Sequence, residues 1–245
     1  MSKIYRHPPV VEALCELHFD KRTAWDGTIF GEYYHRIRDE FSEKREVPQV
    51  EMAMQQHKTG LISQVNPAGV RMQFVRPDQT ALVQLAPHLL IVNQLPPYHR
   101  WEAFKTLILD RLEDYQSVVA GAKLQRVLLR YINRFSFPAE TFTVGHAFAE
   151  SDFIPARLRE KGAPFFLRLE MPEESGSRLL LTLGTLEDDD PEHSAVLLDI
   201  SMLLRQAAVS HQDDLGELLD QAHTCIEEVF ESCLTDALRR QFEQV

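Results

Sequence analysis

Apolar and polar residues alternate one by one through the middle of the chain, from Leu124 to Phe137, in the order LQRVLLRYINRFSF. Val127, Leu129, Tyr131, Asn133 and Phe135 fall on one parity, and Arg126, Leu128, Arg130, Ile132 and Arg134 on the other. Side chains that point to opposite faces at each step produce this period of two, so the stretch predicts a long strand with a core side and a charged side. Val10 to Phe19, VVEALCELHF, alternates in the same way after the Pro8-Pro9 pair holds the chain extended. Ala13, Cys15, Leu17 and Phe19 make its apolar face, while Glu12, Glu16 and His18 share the other with Leu14.

Between these strands the period changes. Trp25, Ile29, Tyr33, Ile37 and Phe41 recur at i, i+4 spacing and predict a helix capped by Thr23. Short strands are then predicted at Val50 to Gln55, Val70 to Arg76, Thr80 to Leu85 and Leu89 to Gln94, with turns at Arg76-Pro77-Asp78-Gln79 and Pro87-His88. A further turn falls between Gln56 and Gly69. A second helix spans about Tyr98 to Ala120, with Gly121 at the position where a left-handed residue ends a helix.

After the central strand the order starts again. A short helix is predicted within Ser151 to Glu160, then strands at Phe165 to Met171, Arg178 to Thr185 and Ser194 to Leu204. A terminal helix follows from Asp213 to Gln244, striped by Leu215, Leu218, Leu219, Ala222, Ile226, Phe230, Leu234 and Leu238, with a break near Ser232 to Thr235.

Two halves of similar order, 1–121 and 122–245, predict one unit of α+β class. A large curved antiparallel sheet carries long helices on one face, in a TBP-like or helix-grip-like arrangement. The first strand of each half is expected at a pseudo-twofold axis, pairing Val10–Phe19 with Leu124–Phe137. Glu12 and Glu16 should then answer Arg126, Arg130 or Arg134 across the ladder, each opposite-charge pair contributing roughly 0.2–1 kcal/mol.

Charge narrows the functional classes. The chain has 245 residues and a formal net charge of -11, which repels nucleic acid and anionic membrane at long range. The arginine face of the central strand is the one feature favouring a polyanion. Cys15, Cys225 and Cys233 are odd in number and lack CxxC spacing, so no disulfide framework or zinc site is encoded, and a cytoplasmic location is expected. The N-terminus has no apolar signal region, and no stretch reaches the roughly 18 apolar residues of a membrane helix.

The best chemical constellation is Glu12, Glu16 and His18 beside Arg126, Arg130 and Arg134, with Asn133 as a polar insertion on the core parity. Carboxylates and a histidine next to arginines could bind an anionic ligand or perform acid/base work. The plainer reading is a set of cross-strand pairs that hold register. Asn133, if buried, needs hydrogen bonds, because an unsatisfied amide costs about 1–3 kcal/mol. The acidic run Glu187 to Glu192 with His193 matches no calcium loop and is expected to be a solvated connection. The ten histidines are dispersed, with no HxH or HExxH pair, so neither a metal nor a cofactor is expected. No nucleophile elbow or phosphate loop is present.

PPVVEALCELHF near the N-terminus, LLRYINRF at the centre and HTCIEEVFESCLTDALRRQF near the C-terminus resemble the three landmarks of a sporadically distributed family of uncharacterised bacterial proteins of about this length. The resemblance spans essentially the whole chain, and its first two motifs are the more specific. It implies a bacterial or phage-like cytoplasmic protein from mobile or defence-associated gene neighbourhoods, and it lends no catalytic residue. The expectation is a non-enzymatic binding module for a protein partner or small ligand. The alternative is a hydrolase or nucleic-acid-processing enzyme with a site built from dispersed residues. Homo-oligomerisation is expected, if anywhere, through the C-terminal helix at Phe230, Leu234, Leu238 and Phe242.

Overall fold

The computed structural model describes residues 5–57, 60–160, 164–173, 176–187, 190–205 and 212–242, with the backbone alone considered at 49–57, 60–68, 158, 205 and 212–214. Nine strands are formed: β1 (Val10–Phe19), β2 (Glu43–His57), β3 (Gly60–Val75), β4 (Ala81–Ala86), β5 (Leu89–Gln94), β6 (Leu124–Pro138), β7 (Phe166–Pro172), β8 (Arg178–Leu186) and β9 (His193–Arg205). They make one open sheet in the order β2-β3-β4-β5-β1-β6-β9-β8-β7, antiparallel at every junction. The helices are α1 (Ile29–Ile37), α2 (Trp101–Val118), one-turn α3 (Val144–Ala147) and α4 (Ala156–Arg159), α5 (Gln212–Cys233) and α6 (Asp236–Arg239), the last running into a 3-10 turn at Arg240–Phe242.

β1 and β6 pair at the centre, as the two alternating patterns require. From this seam each half runs outward through its later strands in reverse chain order, β5, β4, β3, β2 on one side and β9, β8, β7 on the other. The halves therefore share a topology and differ by one strand.

The apolar parities meet the helices. Ala13, Cys15, Leu17, Val127, Leu129, Phe135, Leu198 and Ile200 are buried against Tyr33, Phe104, Ile108, Leu112, Tyr115, Leu215, Leu219 and Ile226 in a single core. Each large side chain fully withdrawn from water contributes about 1.5–3 kcal/mol, so this layer dominates the stability of the sheet–helix sandwich.

Several predicted boundaries shift for local reasons. α1 starts at Ile29 because the Asp26 carboxylate accepts the Thr28 N–H (2.7 Å) in a turn ahead of it. Trp25 and Phe41 thus pack on the core from outside the helix, and Thr23 is not its cap. The strands predicted at Val50 and Val70 are parts of two longer ones, β2 and β3, which pair over Glu43–His57 and Gly60–Val75. Gly121 has φ +70°, the left-handed value its place after α2 predicts. The break in the terminal helix falls at Thr235, whose side chain accepts the Leu238 N–H (3.2 Å) and caps α6.

That break folds the last turn back. Leu234, Leu238 and Phe242 are 2%, 2% and 8% exposed within the chain, Phe242 lying 5.8 Å from Phe135, ring to ring. Of the four side chains of the expected oligomer surface, Leu234, Leu238 and Phe242 are thus taken up within the chain itself, and Phe230 is half-buried.

Candidate functional site

The face of the sheet opposite the helices carries the predicted constellation. Ladder register sets its geometry: Glu12 opposes Ile132, Leu14 opposes Arg130, Glu16 opposes Leu128, and His18 opposes Arg126. Each expected Glu–Arg partnership is therefore offset, and the side chains find other groups.

Three small networks result. At one end of the seam, His18 Nε2 lies 2.9 Å from Glu16 Oε2, and Arg126 Nη2 lies 3.0 Å from His18 Nε2 and 3.2 Å from Nδ1. Burial disfavours the Glu16 carboxylate. The hydrogen bond from His18 and the positive fields of His18, Arg126 and Arg130 outweigh it and hold the group below its usual pKa.

At the middle of the seam, Arg130 turns the other way. Its Nε and Nη2 donate to the two oxygens of Asp199 on β9, at 2.9 and 2.6 Å. Asp199 is 8% exposed, opposite Ile132 and Thr182 in the two ladders that flank it. The hydrogen bonds to Asp199 raise the Arg130 pKa against the opposing effect of burial, with Glu16 and Glu12 adding to the rise.

The third network runs sideways through the first half. Asn93 Nδ2 donates to Glu12 Oε1 (2.6 Å), Gln84 Nε2 donates to Asn93 Oδ1 (3.0 Å), and Gln84 Oε1 accepts from Gln73 and Arg71, each at 3.1 Å. Asn93 is fully buried. Beside it Leu14, Ala86, Leu89 and Ile91 form a small apolar cluster of their own, separate from the helix-side core.

Of the predicted site residues, Glu12, Glu16, His18, Arg126 and Arg130 share this face, and Arg134 lies on it, exposed, toward the far end of β6. Asn133 does not belong with them. It is 2% exposed on the helix side, where its Nδ2 donates to the Leu198 carbonyl (3.1 Å). The predicted direct pairing of Glu12 and Glu16 with the β6 arginines is likewise corrected to the three networks above. Asp199, Asn93 and Gln84 were not singled out from the sequence. The signal was there, since each is a polar residue set among apolar ones in its strand: ALVQLA, LLIVNQ and HSAVLLDISMLLR.

A second polar cluster joins α2 to α5. The Trp101 indole stacks on the His223 ring (4.4 Å, 8°) and donates to Asp220 (2.7 Å), which also accepts from Lys105. Tyr98 and Tyr131 hydroxyls meet at 2.8 Å beneath. Desolvation lowers the His223 pKa to about 4 against the fields of Glu102 and Asp220, so the ring is neutral and serves packing.

Among the described residues, no three His, Cys, Asp or Glu side chains converge as a metal site would require. A recess lined by Gly31, Glu32, His35, Arg36, Asp114, Ser117 and Val118 opens between α1 and α2, away from the networks of the open face. Within the acidic run, Glu187 and Asp190 to His193 are exposed, and His193 bonds Asp190 (2.9 Å); Asp188 and Asp189 lie outside the described residues. No helix of the described residues is long and apolar enough to cross a membrane.

No protein-family model matches the chain. No curated protein matches it in sequence. Among solved structures it is similar to the di-domain ARO/CYC StfQ from the steffimycin biosynthetic pathway, at 9% identity over 89% of this chain and 94% of that one, with a TM-score of 0.19. At that score the likeness carries no argument about the site.

Proposed function

We propose that the chain is a binding protein that receives a protein partner on the open face of its sheet, without catalysing a reaction. The observation that supports this is the make-up of the seam. Leu128, Ile132, Leu197 and Leu203 are half-buried there, beside the Arg130–Asp199 and Glu16–His18–Arg126 groups. Aliphatic side chains interleaved with arginine and paired charges have the character of an interface centre, where water is excluded and register is set by charge. The charges engage each other closely, which suits a surface that is preorganised for docking. The family resemblance is compatible with such a role, since it brings no catalytic residue.

The reading is tested by placing a photo-crosslinking residue at Leu128 on the open face, or at Glu32 on α1 as a control, and crosslinking in the native host. A discrete protein captured from position 128, and lost when Ile132→Asp is added to a chain that still folds, supports the proposal. Equal capture from both positions, or none from 128, overturns it.

A further inference from the structure

β7 closes one side of the sheet, and among the described residues β8 is its one strand partner. The backbone directions on it are set by two hydrogen bonds: Thr185 N–H to the Phe165 carbonyl (3.0 Å) and Glu173 N–H to the Ser177 carbonyl (2.9 Å). Both ladder positions are odd-numbered on the β7 side, so odd residues point their N–H and C=O at β8. Phe166, Arg168, Glu170 and Pro172 therefore turn theirs outward, and all four side chains are exposed. Phe166 is 74% exposed. Its ring lies over Gly184, where an added Cβ would come within 3.2 Å of it.

Exposed edges are usually guarded by charges that repel a second strand. Here the charges are self-complementary. From these observations we infer that β7 is a docking edge for a second copy of this chain, paired antiparallel about a twofold axis at Leu169. In that register Arg168 of each copy stands directly opposite Glu170 of the other, and all four carry outward backbone groups, so each contact is a closely bonded ladder pair as well as an ion pair. Phe166 then faces Pro172 of the other copy, and the Phe166 N–H meets the Pro172 carbonyl. Pro172 has no N–H to give, so the ladder ends there.

The neighbouring registers are excluded by charge. Sliding one copy by two residues in one direction sets Arg168 against Arg168, and in the other Glu170 against Glu170. Slips by one residue bring an outward-facing group against an inward-facing one. Within the chain Glu170 already accepts from Arg178 (2.6 Å). Its second oxygen remains for the Arg168 of the other copy, and the carboxylate then bridges two guanidinium groups. The product is one continuous sheet through both copies, with the two open faces on the same side. The inference does not depend on what the open face binds.

Sedimentation velocity across the micromolar-to-millimolar range tests it on the full chain. Wild type is expected to show a concentration-dependent monomer–dimer equilibrium. Arg168→Glu and Glu170→Arg each convert two attractive contacts to repulsive ones, and each variant alone is expected to self-associate about tenfold or more weakly. Mixing the two variants restores opposite charges at both contact points, so the mixture should dimerise when neither component does. Thermal melts confirm that both variants fold. A wild type that stays monomeric throughout the range overturns the inference. So does a dimer indifferent to both substitutions, or a mixture that associates no better than its parts.

Discussion

Arg130 forms a two-point ion pair with Asp199, at 2.9 and 2.6 Å, although its register partner on β9 is Ser201 and the two residues are 69 positions apart in the chain. The contact is diagonal across the ladder. It draws the central arginine of the seam toward the second half and away from the glutamates of β1.

Removing one member of this pair should be costly. Asp199→Ala leaves the Arg130 guanidinium, about one-third exposed, without its main partner, and Asp199 itself sits at 11% side-chain exposure. Urea denaturation should show a loss of about 1–3 kcal/mol. Arg130→Met combined with Asp199→Ala should cost less than the sum of the singles, giving a coupling energy of about 1 kcal/mol or more. Strict additivity would show that the pair is not energetically joined.

Asn93 is the keystone of the lateral network. Asn93→Leu strands the Gln84 amide and one Glu12 oxygen, and a loss of about 1–3 kcal/mol in chemical denaturation is expected. Asn93→Asp should be worse at neutral pH, because it sets a buried carboxylate against Glu12, 2.6 Å away in the native contact. Acidification should narrow the gap between this variant and wild type.

Stability should also report on His223. Its folded pKa of about 4 lies below the ordinary value of 6.5, so the unfolded chain binds a proton first as pH falls. Stability is full above pH 6.5 and declines as pH drops toward 4, by on the order of 3 kcal/mol for this one group. The carboxylates of Glu102, Asp220 and Glu227 face the ring and moderate the loss. His223→Phe keeps the stack on Trp101 and should flatten the melting-temperature profile across that window; an unchanged slope would assign it to other groups.

Cys15 is fully buried and unpaired, with a thiol pKa pushed far above its usual range by burial. It should resist a thiol reagent in the native state and react only on unfolding. Cys225 and Cys233 are partly accessible and should label ahead of it, Cys233 slowly, since burial lifts its pKa to about 11. Mass spectrometry of a timed labelling reaction gives the order directly.

The strands, their faces and the central pairing of β1 with β6 were legible in the chain, because a half-buried strand must alternate and a helix must repeat at i, i+4. The reversed order of the later strands on each side of that pairing came from the structure. Helix boundaries depended on local capping, as at Thr28 and Thr235, while β2 and β3 begin at Glu43 and Gly60, well ahead of the predicted Val50 and Val70.

What alternation could not supply was the partner of each charge. A strand inside a sheet has two neighbours, and a two-residue offset in register changes which side chains meet. Placing Leu14 opposite Arg130, with Asp199 diagonal to it on the other side, left Glu16 to His18 and Glu12 to Asn93. Asn133 fell the opposite way for the reason its parity already gave: on the core side a single amide could be satisfied by the neighbouring Leu198 carbonyl. The sequence by itself determined which residues share a face. Only the tertiary structure decided which of them touch, because lateral order and register are set by the packing of all nine strands at once.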